Sequence, residues 1–338
     1  MHMPRIALAH NIPSESNDSL DVLDQVCAIE EALDDLGFAS LRIPFTRNLN
    51  SFLTQIRKSH ADIIFNLVET VDEEAALASH PAAVFELLDL PFTGSSASAL
   101  ALTTDKVTAK RLMRACGIRT PNYLIYEGAA SFNASHLTFP VILKPRFEDA
   151  SIGIDQDSIY EDERHLRKNI QNHYARYGSL LVEEYIDGRE FNVSLFGYPV
   201  PQVLPLTEID FSHFPHTLYP IVGYKAKWDT SSFEYTHTPR LLSRETEPSL
   251  AGEINKLAFD CFRLFGLRDY ARVDIRATAH NKPYVLEVNA NPCLSPDAGF
   301  AVATANAGFC YADMVDKIVR FALARSKDKA HHGETGCA

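Results

Sequence analysis

Chemistry is concentrated in two neighbouring strand-like stretches, Arg272-Val273-Asp274 and Tyr284-Val285-Leu286-Glu287-Val288-Asn289-Ala290-Asn291-Pro292. Side chains alternate across a strand, so Arg272 and Asp274 share one face, as do Glu287 and Asn289 on the next strand. If the two strands pair antiparallel, two carboxylates, an amide and a guanidinium converge. Hard oxygen donors of this kind suit Mg²⁺, which is commonly shared between a couple of carboxylates and substrate phosphates. A solvated salt-bridge ladder would use the same residue types. Asp and Asn are depleted in strands, however, and the intervening Val273, Ile275, Leu286 and Val288 imply a buried opposite face, which favours the metal site.

Four lysines could neutralise phosphates: Lys106, Lys144, Lys225 and Lys227. Lys144 closes the apolar strand Phe139–Leu143 and precedes Pro145, which fixes its ammonium beside a turn. The following Glu148-Asp149-Ala150-Ser151-Ile152-Gly153 is small and polar enough to fold over phosphates through backbone N–H groups, with Ser151 at its centre. Other signatures are missing. The chain has no G-x-x-x-x-G-K-[ST] loop, no G-x-G-x-x-G after the first strand, no H-E-x-x-H and no G-x-S-x-G. His213 and His216 have ligand-like spacing without a matching carboxylate pattern, and read as polar surface.

These groups must be held by a scaffold, and the chain alternates the elements to build one. Arg5–Ala9 is strand-like, and a helical pattern through Leu20, Leu23, Val26, Cys27, Ile29 and Leu33 ends at Gly37. Strands at Leu41–Ile43 and Asp62–Leu67 follow, with helices near Asn50–Lys58 and Pro81–Leu88. The pattern predicts a doubly wound parallel α/β domain over 1–102. A helix at Asp105–Cys116, strands at Tyr123–Tyr126, Val141–Lys144 and Leu180–Glu184, and a charged helix at Glu161–Ala175 give a second unit over 103–188. A third, over 189–325, holds strands at Glu190–Phe196, Val200–Pro205, Ala271–Ala277 and Tyr284–Val288. Its helices are Pro248–Phe265 and Ala312–Leu323, and Asp210–Pro239 reads as one long functional loop. Residues 326–338 read as a disordered tail.

The whole chain has 338 residues and a formal net charge of −12, which lacks the basic footprint that nucleic acids or anionic membranes require. Six cysteines without a C-x-x-C pair read as reduced thiols. Apolar runs such as Ile63–Leu67 are too short to span a bilayer, so the reading is a soluble, cytoplasmic protein. The apolar N-terminal helices would permit a dimer.

In order along the chain, Pro91-Phe92-Thr93-Gly94-Ser95, Thr104-Asp105-Lys106, Phe139-Pro140-Val141-Ile142-Leu143-Lys144-Pro145, Glu183-Glu184-Tyr185-Ile186-Asp187-Gly188-Arg189-Glu190-Phe191, Lys225-Ala226-Lys227-Trp228, Arg272-Val273-Asp274 and Glu287-Val288-Asn289 resemble the ATP-grasp ligases. Within that superfamily they are similar to the D-alanine–D-alanine ligases, over about Pro4 to Leu323. The resemblance implies an N-terminal α/β domain followed by two α+β lobes that grip ATP. It implies that Lys106 and Lys144 hold the α/β-phosphates, that Glu183, Glu184 and Ile186 read adenine, and that Glu190 binds ribose. Lys227, on a mobile loop, would reach the γ-phosphate. Asp274, Glu287 and Asn289 would ligate two Mg²⁺ ions, with Mn²⁺ as a substitute, and Arg272 would stabilise a tetrahedral intermediate. The implied reaction joins a small-molecule carboxylate to an amine through an acyl phosphate, releasing ADP.

Departures from the resemblance fall on the substrate side. Ala150 stands where the dipeptide ligases carry a serine, and Trp228 where a tyrosine is common. Cys293 occupies a glycine position and Ala298 a serine position, with Asp297 beside it. Glu15 is the candidate for the family's N-terminal glutamate. These differences point to an amino-acid or peptide-like substrate other than D-alanine. The rivals are an authentic D-alanine–D-alanine ligase, an ATP-grasp small-molecule kinase, and a nucleotide-binding protein without catalysis. Cys293 as a covalent nucleophile is disfavoured, because no histidine base lies near it in sequence.

Overall fold

The computed structural model describes residues 3–13, 17–243 and 245–334. Glu15 lies outside the described residues. The first unit contains β1 (Arg5–Asn11), α1 (Asn17–Asp35), β2 (Ala39–Phe45), α2 (Leu49–Ser59), β3 (Ile63–Leu67), α3 (His80–Leu87) and α4 (Ala97–Thr104), and α5 (Lys106–Ala115) opens the second. The three strands of the first unit are parallel in the order β2-β1-β3. Every residue of β3 is buried, Asn66 included, as expected of a mostly apolar strand covered on both faces.

The second unit is an antiparallel sheet in the order β4-β7-β5-β6: β4 (Tyr123–Tyr126), β5 (Val141–Pro145), β6 (Ile159–Tyr160) and β7 (Leu180–Glu184). It is backed by α6 (Glu163–Tyr177), whose Leu166 and Ile170 enter a core with Val141, Leu143 and Val182. The third unit comprises β8 (Arg189–Gly197), β9 (Gln202–Val203), β10 (Thr207–Ile209), α7 (Tyr224–Trp228), α8 (Phe233–Thr236), β11 (Arg240–Leu242), α9 (Pro248–Leu264), β12 (Asp269–Ala277), β13 (Pro283–Asn289), α10 (Gly299–Asn306) and α11 (Tyr311–Glu334). Its sheet runs β11-β10-β8-β12-β13, with β9 pairing to β8.

Three features differ from the sequence reading. Val200–Pro205 contracts to the two-residue β9, because Pro201 and Pro205 cannot donate to a ladder. Asp210–Pro239 is not one irregular loop but carries α7 and α8. The last helix runs on to Glu334, through much of the stretch read as a tail. Its Met314, Val315, Ile318, Val319 and Ala322 pack into one core with Ile6, Leu8, Val26 and Ile29 of β1 and α1. That burial anchors the helix, and short-range composition does not reveal it.

Candidate active site

The convergence drawn from alternation is realised in the β12–β13 ladder. Arg272 pairs directly with Asn289 and Asp274 with Glu287, while Val273 and Val288 face the core. The register then shifts between Asp274 and Ile275. This bulge turns Leu286 as well as Glu287 toward the cleft between the lobes, which both residues line.

Every expected metal ligand has a partner of opposite charge or a hydrogen bond. Arg272 forks onto Asp274 at 2.8 and 2.9 Å, and Asn192 on β8 donates to the same carboxylate at 2.8 Å. Glu287 lies 3.1 Å from Lys106 Nζ. Asn289 donates to Asp149 at 3.2 Å, and its Oδ1 accepts from Asn291 N at 2.9 Å. Among the described residues, no three His, Cys, Asp or Glu side chains form a protein-only metal cage. Two carboxylates and an amide on facing strands are nevertheless the donor set of a hard cation whose remaining positions come from phosphates. The residues fit Mg²⁺ bound together with a nucleotide.

Lys106 opens α5, where Asp105 caps the helix by accepting from Val107 N and Thr108 N at 3.1 and 3.3 Å. Arg146 forks onto that cap at 2.7 and 2.6 Å. Burial would raise the Asp105 carboxyl, but Arg146 and Thr108 outweigh it and hold it at about 2. Burial likewise opposes the Lys106 charge, yet Glu287 and Asp149 keep its pKa above the ordinary lysine value. One turn further along α5, Lys110 reaches Glu183 of β7, which Lys144 of β5 meets at 2.8 Å. Glu183 is buried, and the two ammonium groups hold its carboxyl below the usual range against the pull of desolvation. Its side chain therefore positions lysines rather than projecting toward a ligand. Sequence reading missed Lys110, although its i,i+4 spacing from Lys106 on a recognised helix was the available signal.

The remaining nucleotide candidates line the same cleft, which holds Lys106, Lys144, Ser151, Glu183, Glu184, Ile186, Glu190 and Lys227 together. The Glu184 side chain is tied to Asn122 at 3.0 Å and Thr138 N at 2.8 Å. Glu190 pairs at 2.9 Å with Arg276, a residue sequence reading passed over. Arg276 also donates to the Ile186 carbonyl at 2.9 Å and lies over the Tyr185 ring.

Two segments close over this cleft. Ala150 and Ser151 both have positive φ, 55° and 61°, a costly conformation outside glycine that bends the backbone into a concave turn. Ser151 Oγ donates to Val222 O at 2.7 Å, Tyr224 N to Ile154 O at 2.7 Å, and Trp228 Nε1 to Ala150 O at 2.9 Å. Gly223 permits this approach, since a Cβ there would sit 2.9 Å from Ile154 O. The contact half-buries Lys227, whose pKa desolvation and Arg272 lower. Lys225, by contrast, is exposed and lines neither cleft.

A second cleft opens from the first, lined by Trp228, Cys293, Asp297 and Ala298 together with Asp21 and Glu69. Lys227, Arg240 and Arg272 line both clefts. Burial pushes the Cys293 thiol far above its ordinary value, and it sits 3.2 Å from Asp21 Oδ2. It is a neutral wall residue. Glu69 is raised to about 7 by burial and by Asp149 and Asp21. His213 and His216 are exposed, away from both clefts.

A family model described as D-ala D-ala ligase C-terminus matches residues 112–320. The D-alanine--D-alanine ligase of Carboxydothermus hydrogenoformans is 31% identical over 306 residues, covering 88% of this chain and 91% of that protein. The chain belongs to the D-alanine–D-alanine ligase family. Membership makes it an ATP-dependent, ADP-forming ligase of the ATP-grasp type. An uncharacterized protein of Sinorhizobium fredii, y4sG, is 33% identical over 264 residues, covering 78% of this chain and 75% of that one. The Bacillus anthracis D-alanine--D-alanine ligase complexed with ATP shares the fold, with a TM-score of 0.78 at 20% identity, covering 96% of this chain and 99% of that one. Among the described residues no helix is long and apolar enough to cross a membrane.

Proposed function

We propose that this ligase joins a small-molecule carboxylate to an amine through an acyl phosphate, and that its preferred acid or amine is not D-alanine. The observation that carries the reading is the junction of the two clefts, where Lys227 and Arg272 face both the nucleotide groove and the second cavity. A phosphoryl group delivered from one side would meet a carboxylate seated in the other.

In this reading Lys106 and Lys144 neutralise the α/β-phosphates, and the turn at Ala150–Ser151 covers them with backbone N–H groups. Glu184 and Ile186 line the adenine end, and Glu190, oriented by Arg276, meets the ribose. Asp274, Glu287 and Asn289 hold two Mg²⁺ ions, or Mn²⁺, which when bound offset the charge of the transferred phosphoryl group. Lys227 contacts the γ-phosphate and excludes water. Arg272, held flat by Asp274, donates toward the oxyanion formed as the amine attacks.

Specificity follows from absent hydroxyls. Ala150 and Ala298 offer no side-chain hydrogen bond to a small zwitterion, and each lost charge-assisted contact costs roughly 1.5–3 kcal/mol. Trp228 adds apolar area suited to a larger substrate. The names of the relatives favour the rival reading, D-alanine on both sides. Phosphate release screened over amino-acid pairs, with mass spectrometry of products, separates the two. The expected result is ADP and an amide from another pair, with D-alanine alone a poor substrate. Efficient D-alanyl-D-alanine formation at millimolar substrate would overturn the specificity reading. AMP with pyrophosphate, or a stable phosphorylated metabolite without an amide, would overturn the reaction itself.

A further inference from the structure

One arginine in the two clefts stands apart. Arg272 is forked by Asp274 and Arg276 is paired to Glu190. Arg240, the first residue of the edge strand β11, lines both clefts, yet its Nε is buried without a hydrogen-bond partner. Among the described residues no carboxylate lies within ion-pair distance of its guanidinium. Asp274 and Asp297 act on it only at longer range, while desolvation and the neighbouring Arg272 both oppose its charge. A buried cation without a counter-ion is costly, and the cleft beside it is where an anion would offset that cost.

The geometry around Arg240 is built for close approach. A Cβ on Gly299 would lie 3.2 Å from Arg240 Nε and 3.3 Å from its Cδ, so the bare glycine lets the guanidinium reach the start of α10. That eight-residue helix is preceded by Ala298, whose side chain makes no cap hydrogen bond. Its first backbone N–H groups add a weak positive pole on the same side of the cavity. The same cavity is also lined by the carboxyl groups of Asp21 and Glu69. A ligand matching both poles bears an ammonium and a carboxylate.

We propose that Arg240 is the receptor for the carboxylate of the amine-bearing substrate, which is therefore an amino acid or a peptide with a free C-terminal carboxylate. This rests on the ligase reading above. Arg240 takes the part that a hydroxyl at position 298 cannot play, and its planar fork matches a carboxylate in two-point contact.

The test uses the full chain with ATP and Mg²⁺ and a panel of amino acids that includes D-alanine, L-alanine, D-serine and L-glutamate, each paired with its α-carboxamide. ADP release and amide formation are followed together. The wild type is expected to show a KM for the best amino acid roughly 10- to 100-fold below that of its carboxamide, the range of one charge-assisted contact. Arg240→Gln should raise the amino-acid KM by a similar factor, move the carboxamide KM less than about threefold, and leave the KM for ATP unchanged. Arg240→Lys should recover part of the loss. Gly299→Ala, which pushes a methyl against the guanidinium, should weaken the amino acid in the same selective way without removing any charge. Wild-type indifference between acid and carboxamide, or discrimination surviving in Arg240→Gln, overturns the proposal while the ligase reading stands. So does an Arg240→Gln variant whose ATP KM rises as much as its amine KM, because the residue would then hold phosphate. No amide from any pair brings down the ligase reading and this inference together.

Discussion

Replacing Glu183 with Gln should destabilise the protein by an amount that depends strongly on pH. The carboxylate is 1% exposed and sits between Lys110, 2% exposed, and Lys144, 13% exposed. Lys110 has neutral partners in Thr120 Oγ1 at 2.9 Å and Leu286 O at 3.1 Å, but no other ion pair among the described residues. Removing one partner of a buried pair costs about 3–5 kcal/mol. Lys110 can instead fold without its proton, which limits the loss. At pH 7 it lies about 3.4 pH units below an ordinary lysine, and at about 1.36 kcal/mol per unit the ceiling is about 4.6 kcal/mol. At pH 9 the same ceiling falls to about 1.9 kcal/mol, because the unfolded lysine gives up its proton more easily there. In the wild type the sign is opposite for Glu183: its carboxyl is depressed, so its contribution is present above the usual carboxylate range and is lost as pH falls below it. Urea unfolding followed by circular dichroism at pH 7 and pH 9 measures both numbers. A loss under about 1 kcal/mol at pH 7, or an equal loss at both pH values, would show that the triad does not carry the charge assigned to it.

Glu287→Gln should reduce turnover at least about 100-fold while the ATP dissociation constant moves less than about tenfold, because Lys106 and Lys144 still hold the phosphates. Calorimetric ATP binding beside a steady-state assay checks this, and near-normal turnover removes the metal assignment. Glu69, raised to about 7, destabilises the folded state as pH climbs from the usual carboxylate range through 7. Glu69→Gln should accordingly raise stability at pH 8 by about 1–3 kcal/mol and leave it unchanged near pH 4, and paired thermal melts at the two pH values decide the point. Gly223→Ala places a Cβ 2.9 Å from Ile154 O and should hold the segment carrying Lys227 away from the Ala150 turn. An ATP KM raised about tenfold with the melting temperature within about 2 °C is expected, and an unaltered KM would show that this closure is dispensable.

Much of the lining of the first cleft was legible one residue at a time. Asp274, Glu287, Asn289 and Arg272 announced themselves because polar residues in apolar strands have few other uses, and period-two alternation placed them on shared faces. Lys144 and Lys106 were readable from a strand end and a helix start. The sequence also predicted the parallel α/β unit, since short, mostly apolar strands such as β3 alternate there with helical patterns. Pairing was not legible. That Asp274 faces Glu287, and that a bulge then brings Leu286 round beside it, depends on a ladder whose register no local pattern states.

What only the tertiary structure decided is where charges meet. Lys110, Arg276 and Arg240 look like ordinary surface residues in a helix or strand pattern, because their significance lies in partners 73, 86 and 59 positions away in the chain. The C-terminal helix shows the same limit, for its apolar stripe gains meaning only against β1 and α1. Local sequence determines which backbone forms and which side chains share a face, since those follow from short-range sterics and periodicity. Which buried cation is neutralised and which is left to await a ligand is decided by desolvation and Coulomb energy between distant segments, and those exist only once the chain has closed on itself.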